Sequence, residues 1–411
     1  MKKYNMINVI GLGYIGLPTA LMFASHDIEV TGTDYNKKLV DELNAGHLTF
    51  KENNLDKLFD EAVAKGIKFT TEYITTDTYI IAVPTPYDKN SKMVDASYVV
   101  AAIKNVMEVC PKDAIVVIES TISPGTIDKY VRPIVEANGF VIGEDIHLVH
   151  APERIIPGNM VYELEHNSRT IGADNPKIAK RIKDLYTSFC KNEIITTTIR
   201  TAEMTKVVEN TFRDINIAYA NELAKICRRD SMDVYEIIRI ANKHPRVNIL
   251  SPGPGVGGHC ISVDPWFLVG DYPDLANLIW QARKINDSMP EFVLDRIHDI
   301  MKKHTINSVS RVGLYGLTYK ENVDDVRESP TLQMLECMQR HLASEIKVYD
   351  PWVHKDLVAG QYHDFDTFLS EIDIIVIMVG HSELRENMEK IKNKIILDTR
   401  NVCEFESTYR L

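Results

Sequence analysis

Short apolar runs and helical periodicities alternate along the first part of the chain. "INVIGL" (7–12), "IEVTGTD" (28–34), "TYIIAVPTP" (78–86), "AIVVIEST" (114–121) and "HLVHAPE" (147–153) are rich in β-branched residues, and each reads as a strand. Helical stretches such as "YIGLPTALMFASH" and "SYVVAAIKNVMEVC" lie between them. Buried strands alternating with helices predict a parallel sheet covered on both faces.

The pattern changes in the middle. From Thr201 to Asp230 there is neither Gly nor Pro, and Met204, Val208, Ile215, Tyr219, Leu223 and Ile226 recur at helical spacing. This predicts one long helix, with a second around 233–243. So long a helix suits contact with a second copy of the chain. The last part returns to alternation. "SRVGLYGLTY" (310–319) is a strand entering a loop, "EIKVYDP" a strand with an acid at its end, and "DIIVIMVG" and "KIILDTR" are buried strands. "SPTLQMLECMQRHLA" is a helix with Ser329 as N-cap and Pro330 at its first position. The expected fold is α/β: two Rossmann-like doubly wound domains, 1–195 and 301–411, joined by a central all-helical domain, 196–300.

Composition narrows the function. The 411 residues suit two or three domains, and 45% hydrophobic with 26% charged content is globular. The net charge of −11 disfavours a nucleic-acid or acidic-membrane surface. No apolar run approaches the length of a membrane span. "MKKYNMINVIGLGYIG" has two lysines before apolar residues but no small-residue cleavage site, so it reads as a first strand in a cytoplasmic protein. The six cysteines are scattered without a C-x-x-C pair, which supports neither a zinc site nor a dithiol. Five of them are expected to pack as small hydrophobes.

Gly11, Gly13 and Gly16, with Tyr14 and Ile15 between them, follow the first strand and open the first helix. The glycines permit a tight turn and close approach of a pyrophosphate, and the helix N-terminus offers free N–H groups. Asp34 ends the second strand, where a carboxylate can accept from ribose hydroxyls and would repel a 2′-phosphate. The cofactor expected is NAD. Thr85 and Thr121 end further strands; each offers a hydroxyl to the ligand crevice, or serves an ordinary loop or cap.

Lys206, Asn210 and Arg213 share one face of the long helix, which is either a solvated face or a ligand-facing row. Glu153 and Arg154 end a strand, and Glu153 either activates water or makes an ion pair. "GPGVGGHCISVDP" (253–265) surrounds Cys260 with glycines. It is either a tight turn burying a Cys or a ligand-wrapping loop presenting a nucleophile, the glycines leaving room for an adduct. Beside a nicotinamide, a thiol can add to an aldehyde, lose hydride to give a thioester, and release an acid to water. A Cys/His pair at His259–Cys260 is discounted, because adjacent side chains diverge.

"GLGYIGLP", "VPTP", "EST", "PER", "AEMTKVVENTFRDINIAYANE", "GPGVGGHCISVDP" and "GLTYKENVDDVRESP" occur in the order seen in the UDP-glucose/GDP-mannose dehydrogenase family, which the chain resembles along essentially its whole length. The resemblance implies two-fold oxidation of a sugar C6 alcohol with two NAD+ and one water. It implies Cys260 as nucleophile, Lys206 stabilising oxyanions, Asp264 working with that lysine, and Asn210 binding sugar or water. Glu153 would serve thioester hydrolysis, and Thr121 would lie near the reaction centre. Lys320, Gly257 and Asn248 would serve a UDP-sugar site, Arg327 the cofactor phosphates, and Arg246 the neighbouring subunit's active site in a dimer. The chain departs from the family's UDP-glucose members at Ile261, Ser262 and Val263 in the Cys loop, at Pro157, and at Arg213 and Asp214 on the helix. These departures imply a UDP-amino-sugar substrate carrying an N-acetyl group.

Overall fold

The computed structural model describes residues 6–258, 260–340 and 346–411. The chain forms two compact units, one ending at Glu209 and the other comprising Asn210–Leu411, so the division falls within a continuous helix, Ile199–Arg229.

The first unit holds eight strands: β1 (Ile7–Ile10), β2 (Val30–Thr33), β3 (Lys68–Thr70), β4 (Thr78–Ile81), β5 (Ala114–Ile118), β6 (Ile146–His150), β7 (Arg169–Ala173) and β8 (Ile194–Thr197). Their order in the sheet is β3-β2-β1-β4-β5-β6-β7-β8. All neighbours run parallel except β6 and β7. Alternate residues feed opposite cores, as strand geometry requires. Ile7, Val9, Ile80, Ile115 and Val117 face one cluster, and Tyr79, Ile81, Val116 and Ile118 face the other. The chain order reverses between β1 and β4, which is where ligands bind in sheets of this kind.

The second unit contains β9 (Val312–Tyr315), β10 (Lys347–Tyr349), β11 (Gln361–Tyr362), β12 (Ile374–Ile377), β13 (Ile395–Asp398) and β14 (Tyr409–Arg410), ordered β11-β10-β9-β12-β13-β14. All pairs are parallel. This repeats the order of the first six strands of the first sheet, with its own switch between β9 and β12. The helix Pro330–Arg340 starts where expected, and the Ser329 hydroxyl accepts from the Thr331 N–H at 3.2 Å. The predicted continuation of that helix to Ala343 lies outside the described residues, as does Glu345 at the start of "EIKVYDP". The α/β class, the helical middle and the parallel strands are as the sequence predicts, apart from the antiparallel pair β6 and β7. Strands β3, β7, β8, β11 and β14 had no clear sequence signal.

The long helix departs in part from the usual rule for amphipathic helices. Of its expected apolar stripe, Val208 is 45% exposed, Tyr219 51% and Ile226 50%, as is Phe212 at 65%, while Met204, Ile215 and Leu223 are half-buried. Its buried positions include Glu203, Lys206, Asn210, Asp214 and Asn221. Glu203, Asn210, Asp214 and Asn221 each have a partner that meets the cost of burying a polar group. Glu203 accepts from the Gly125 N–H (2.6 Å) and the Ile127 N–H (3.0 Å). Asn221 donates to Asn286 at 2.8 Å and accepts from the Gly253 N–H at 2.9 Å. Asp214, expected beside Arg213 among the substrate-linked changes, instead sits in the core of the second unit. It pairs with the buried Arg283 at 2.6 Å and accepts from Asn286 at 2.8 Å. Burial pushes its carboxyl up, with Arg283 opposing.

Candidate active site

At the end of β1 the chain turns with Gly11 at φ +90°, where an added Cβ would stand 2.6 Å from the Ala82 carbonyl oxygen. At Gly16 an added Cβ would stand 1.8 Å from the Gly11 carbonyl oxygen, so the turn and helix close on each other. At Gly13 an added Cβ would meet nothing within 4 Å. Gly11 and Gly16 therefore serve close backbone approach, and Gly13 leaves open space just before the helix Gly16–Ser25. Asp34 braces the turn: its Oδ2 accepts from the Leu12 N–H at 2.8 Å and its Oδ1 from the Asn36 N–H at 2.8 Å. It remains half-exposed, with lone pairs left for ribose hydroxyls. Tyr14 packs on Phe50, ring centroids 4.5 Å apart, and Ile15 is partly buried against the first core. This turn fits a dinucleotide pyrophosphate and ribose.

Thr85 and Thr121 are joined, because the Thr85 hydroxyl donates to the Thr121 carbonyl at 2.6 Å. Thr85 thus ties the ends of β4 and β5, while Thr121 is half-buried. Glu153 is buried, its Oε1 accepting from the Arg154 N–H at 2.7 Å and its Oε2 paired with Arg169. The Arg154 guanidinium is taken up by Glu209 (2.6 Å), the Ser168 carbonyl and the Thr170 hydroxyl (3.0 Å).

On the long helix Lys206 (7% exposed) and Asn210 (5%) lie one turn apart on its buried side, while Arg213 is exposed. Asn210 Nδ2 donates to Asp264 Oδ2 at 2.6 Å, and Asp264 is buried at the first position of the helix Asp264–Asp271. The Cys260 carbonyl accepts from the Asp264 N–H (2.9 Å) and the Val263 N–H (3.1 Å), which places Cys260 in the turn leading into that helix. Cys190, Cys227 and Cys403 are buried, Cys110 and Cys337 are half-buried, and Cys260 is exposed. The buried-turn alternative for Cys260 does not hold. His259 lies outside the described residues.

The glycines of this loop have an immediate neighbour of their own. An added Cβ at Gly257 would stand 2.6 Å from both the Glu328 carbonyl oxygen and Tyr319 Cβ, and one at Gly258 (φ +83°) 2.9 Å from the Tyr319 ring. The Gly258 N–H donates to the Arg327 carbonyl at 2.9 Å. A side chain at either position would run into the 319–330 segment, so both positions need glycine. Of the "ISV" residues, Ser262 closes the turn onto the Gly258 carbonyl and Val263 is buried, leaving Ile261 half-exposed.

Lys320 is half-exposed, and its carbonyl accepts from the Thr318 hydroxyl at 2.9 Å. Arg327 grips Asp325 in a fork, Nε to Oδ1 at 2.9 Å and Nη2 to Oδ2 at 2.6 Å. Arg246 and Asn248 are exposed, and the Asn248 carbonyl accepts from Asn216 at 2.8 Å. Sequence reading missed Glu119, Arg169 and Tyr186, which form a sealed cluster with Glu153. Their only sequence signal is charge at the ends of apolar strands.

Residues 5–190 match the NAD binding domain of the UDP-glucose/GDP-mannose dehydrogenase family, residues 200–288 its central domain and residues 313–405 its UDP binding domain. The chain belongs to that family, and it is an NAD-dependent UDP-sugar dehydrogenase. It is 41% identical to the UDP-N-acetyl-D-mannosamine dehydrogenase of Methanococcus vannielii, over 98% of this chain and 94% of that protein. It is 40% identical to an NDP-N-acetyl-D-galactosaminuronic acid dehydrogenase of Ralstonia nicotianae, over 97% and 96%. The solved UDP-N-acetyl-mannosamine dehydrogenase of Staphylococcus aureus superposes with a TM-score of 0.88 at 42% identity, over 99% of this chain and 98% of that one. Among the described residues no helix is long and apolar enough to cross a membrane.

Proposed function

We propose that the protein oxidises the C6 hydroxyl of UDP-N-acetyl-D-mannosamine twice, giving UDP-N-acetyl-D-mannosaminuronate. Bound NAD+ supplies the hydride acceptor for each oxidation, two per sugar. Gly11, Gly13, Tyr14, Ile15 and Gly16 hold its pyrophosphate, Asp34 its ribose, and Thr85, Thr121 and Arg327 line its site. Lys206, with Asp264 held by Asn210, takes up the alcohol proton and stabilises the oxyanions that follow. The Cys260 thiolate adds to the C6 aldehyde, forming a C–S bond and an oxyanion that is protonated to a thiohemiacetal. Loss of the second hydride and the hydroxyl proton gives a thioester. Water then attacks the acyl carbon, Glu153 takes its proton, the C–S bond breaks, and the thiolate returns to Cys260.

Arg154, Arg213, Asn248, Gly257 and Lys320 complete the substrate site in this reading, in three domains bounded at 195 and 300. The exposed stripe Val208, Phe212, Tyr219 and Ile226 supports a homodimer in which Arg246 reaches the neighbouring active site. A cytoplasmic enzyme follows from its nucleotide-linked substrate and cofactor.

The observation that carries the reading is the 2.6 Å bond from Asn210 to Asp264. It ties the turn bearing the exposed thiol to the long helix at Asn210. The test is turnover with UDP-N-acetylmannosamine, UDP-N-acetylglucosamine, UDP-N-acetylgalactosamine and UDP-glucose. The mannosamine epimer is expected to give the highest kcat/KM, and preference for the glucosamine or galactosamine compound reassigns the substrate. Cys260→Ala is expected to abolish turnover and keep UDP-sugar affinity; loss of affinity instead makes Cys260 structural.

A further inference from the structure

The first unit seals one cation between two carboxylates at the carboxyl ends of β5 and β6. Glu119 follows β5, Glu153 lies just beyond β6, and Arg169 opens β7. The side chains are 0%, 3% and 3% exposed. Arg169 uses different nitrogens for each acid, Nη2 for Glu153 Oε2 and Nη1 for Glu119 Oε1 at 3.4 Å. The Tyr186 hydroxyl donates to the same Glu119 oxygen at 2.9 Å, and the guanidinium lies 4.3 Å from the Tyr186 ring centroid. Glu153 is therefore engaged at both oxygens, by the ion pair with Arg169 and by the Arg154 N–H.

We propose that Arg169 is the positioning residue for Glu153 in thioester hydrolysis, and that Glu119, across the same guanidinium, sets how firmly Arg169 holds Glu153. The inference rests on Glu153 serving that step as proposed above. Two carboxylates and one buried cation leave an uncompensated charge when both acids ionise. Burial pushes Glu119 up to about 7, with Arg169 opposing and Glu153 adding to the rise. The charged and titratable groups around the pair are Arg169, Glu119, Glu153, Tyr186 and Cys190, with the Thr19 hydroxyl beside Glu119. Below neutral pH a protonated Glu119 leaves Arg169 to Glu153 alone. Above it, ionised Glu119 competes for the same guanidinium and loosens its hold on Glu153, freeing that carboxylate to meet the attacking water.

The step tested is attack of water on the Cys260 acyl carbon: the C–O bond forms, the C–S bond breaks, and the water proton passes to Glu153. The holoenzyme is mixed with UDP-N-acetylmannosamine and quenched, and the acyl adduct on Cys260 is followed by intact mass. Glu153→Gln is expected to accumulate the adduct; a variant that does not accumulate it overturns the assignment of Glu153 itself. Arg169→Lys is expected to slow adduct decay about 10–100-fold while the first NADH forms within two-fold of the wild-type rate. Decay at the wild-type rate, with Glu153→Gln accumulating, overturns the role of Arg169 alone. Glu119→Gln tests the second part even where Arg169→Lys fails to fold. Wild-type decay is expected to rise between pH 6 and 8, and the variant to lack that rise; the same rise in both sinks the role of Glu119.

Discussion

The two parallel sheets share one plan and use it differently. Each places a positive-φ glycine directly after its first strand, Gly11 (φ +90°) after β1 and Gly316 (φ +105°) after β9. Each ends its second strand with an acid that accepts two backbone N–H groups from corresponding places. Asp34 takes Leu12 and Asn36, both at 2.8 Å, and Asp350 takes Leu317 at 2.6 Å and Trp352 at 2.8 Å. Beyond this they diverge. In the first sheet the helix begins at Gly16, Gly13 is open, and Asp34 is half-exposed. In the second, Thr318 stands where Gly13 would, and the helix waits until Pro330. Asp350 is 2% exposed and capped by His381 at 3.2 Å. The Asn322 N–H donates to His381 Nδ1 at 3.0 Å, so the ring proton sits on Nε2, toward Asp350. The first acid is left facing the ligand crevice, while the second is enclosed as a brace for the loop carrying Lys320. Sheet order sets where a ligand can bind, and the loop after the first strand sets which one.

This contrast can be broken by treating both acids alike. Asp350→Ala strands the Leu317, Thr318 and Trp352 N–H groups and His381 in a buried site. It is expected to cost about 3–5 kcal/mol, read as a fall in thermal midpoint of roughly 6–20 °C, with NAD+ affinity falling less than it does in Asp34→Ala. A loss of NAD+ affinity as large as that of Asp34→Ala would overturn the contrast. Burial raises the Asp350 carboxyl, but the His381 bond and backbone N–H groups outweigh it and leave it below its usual value. Its contribution is therefore complete above the ordinary carboxylate range near pH 4 and is lost as the pH falls further. The same substitution at Asp34 is expected to raise the KM for NAD+ about 10–100-fold, near 1.5–3 kcal/mol, with a smaller change in midpoint. An unchanged KM would mean that Asp34 is only a turn brace.

The architecture and the cofactor end were legible because they rest on local rules. Glycines between a strand and a helix, an acid at a strand end and Ser329 before Pro330 each carry their reason within a few residues. The long helix was legible in extent but not in orientation. A stripe of Val208, Tyr219 and Ile226 ordinarily marks a core face; here polar partners on other segments bury Glu203, Asn210 and Asp214 instead. The contact of the loop glycines Gly257 and Gly258 with Tyr319 and Glu328 could not be seen from sequence. The Glu119–Arg169 pairing was equally hidden, because its partners are fifty positions apart and on strands that pair only through the sheet.

The central claim is four-electron oxidation through Cys260. The measurement that tests it most directly is the number of NADH formed per UDP-N-acetylmannosamine consumed at completion. The account predicts two for the wild-type enzyme, with UDP-N-acetylmannosaminuronate as product, and failure of Cys260→Ser to reach two. One NADH per sugar in the wild type, or two in Cys260→Ser, would contradict it.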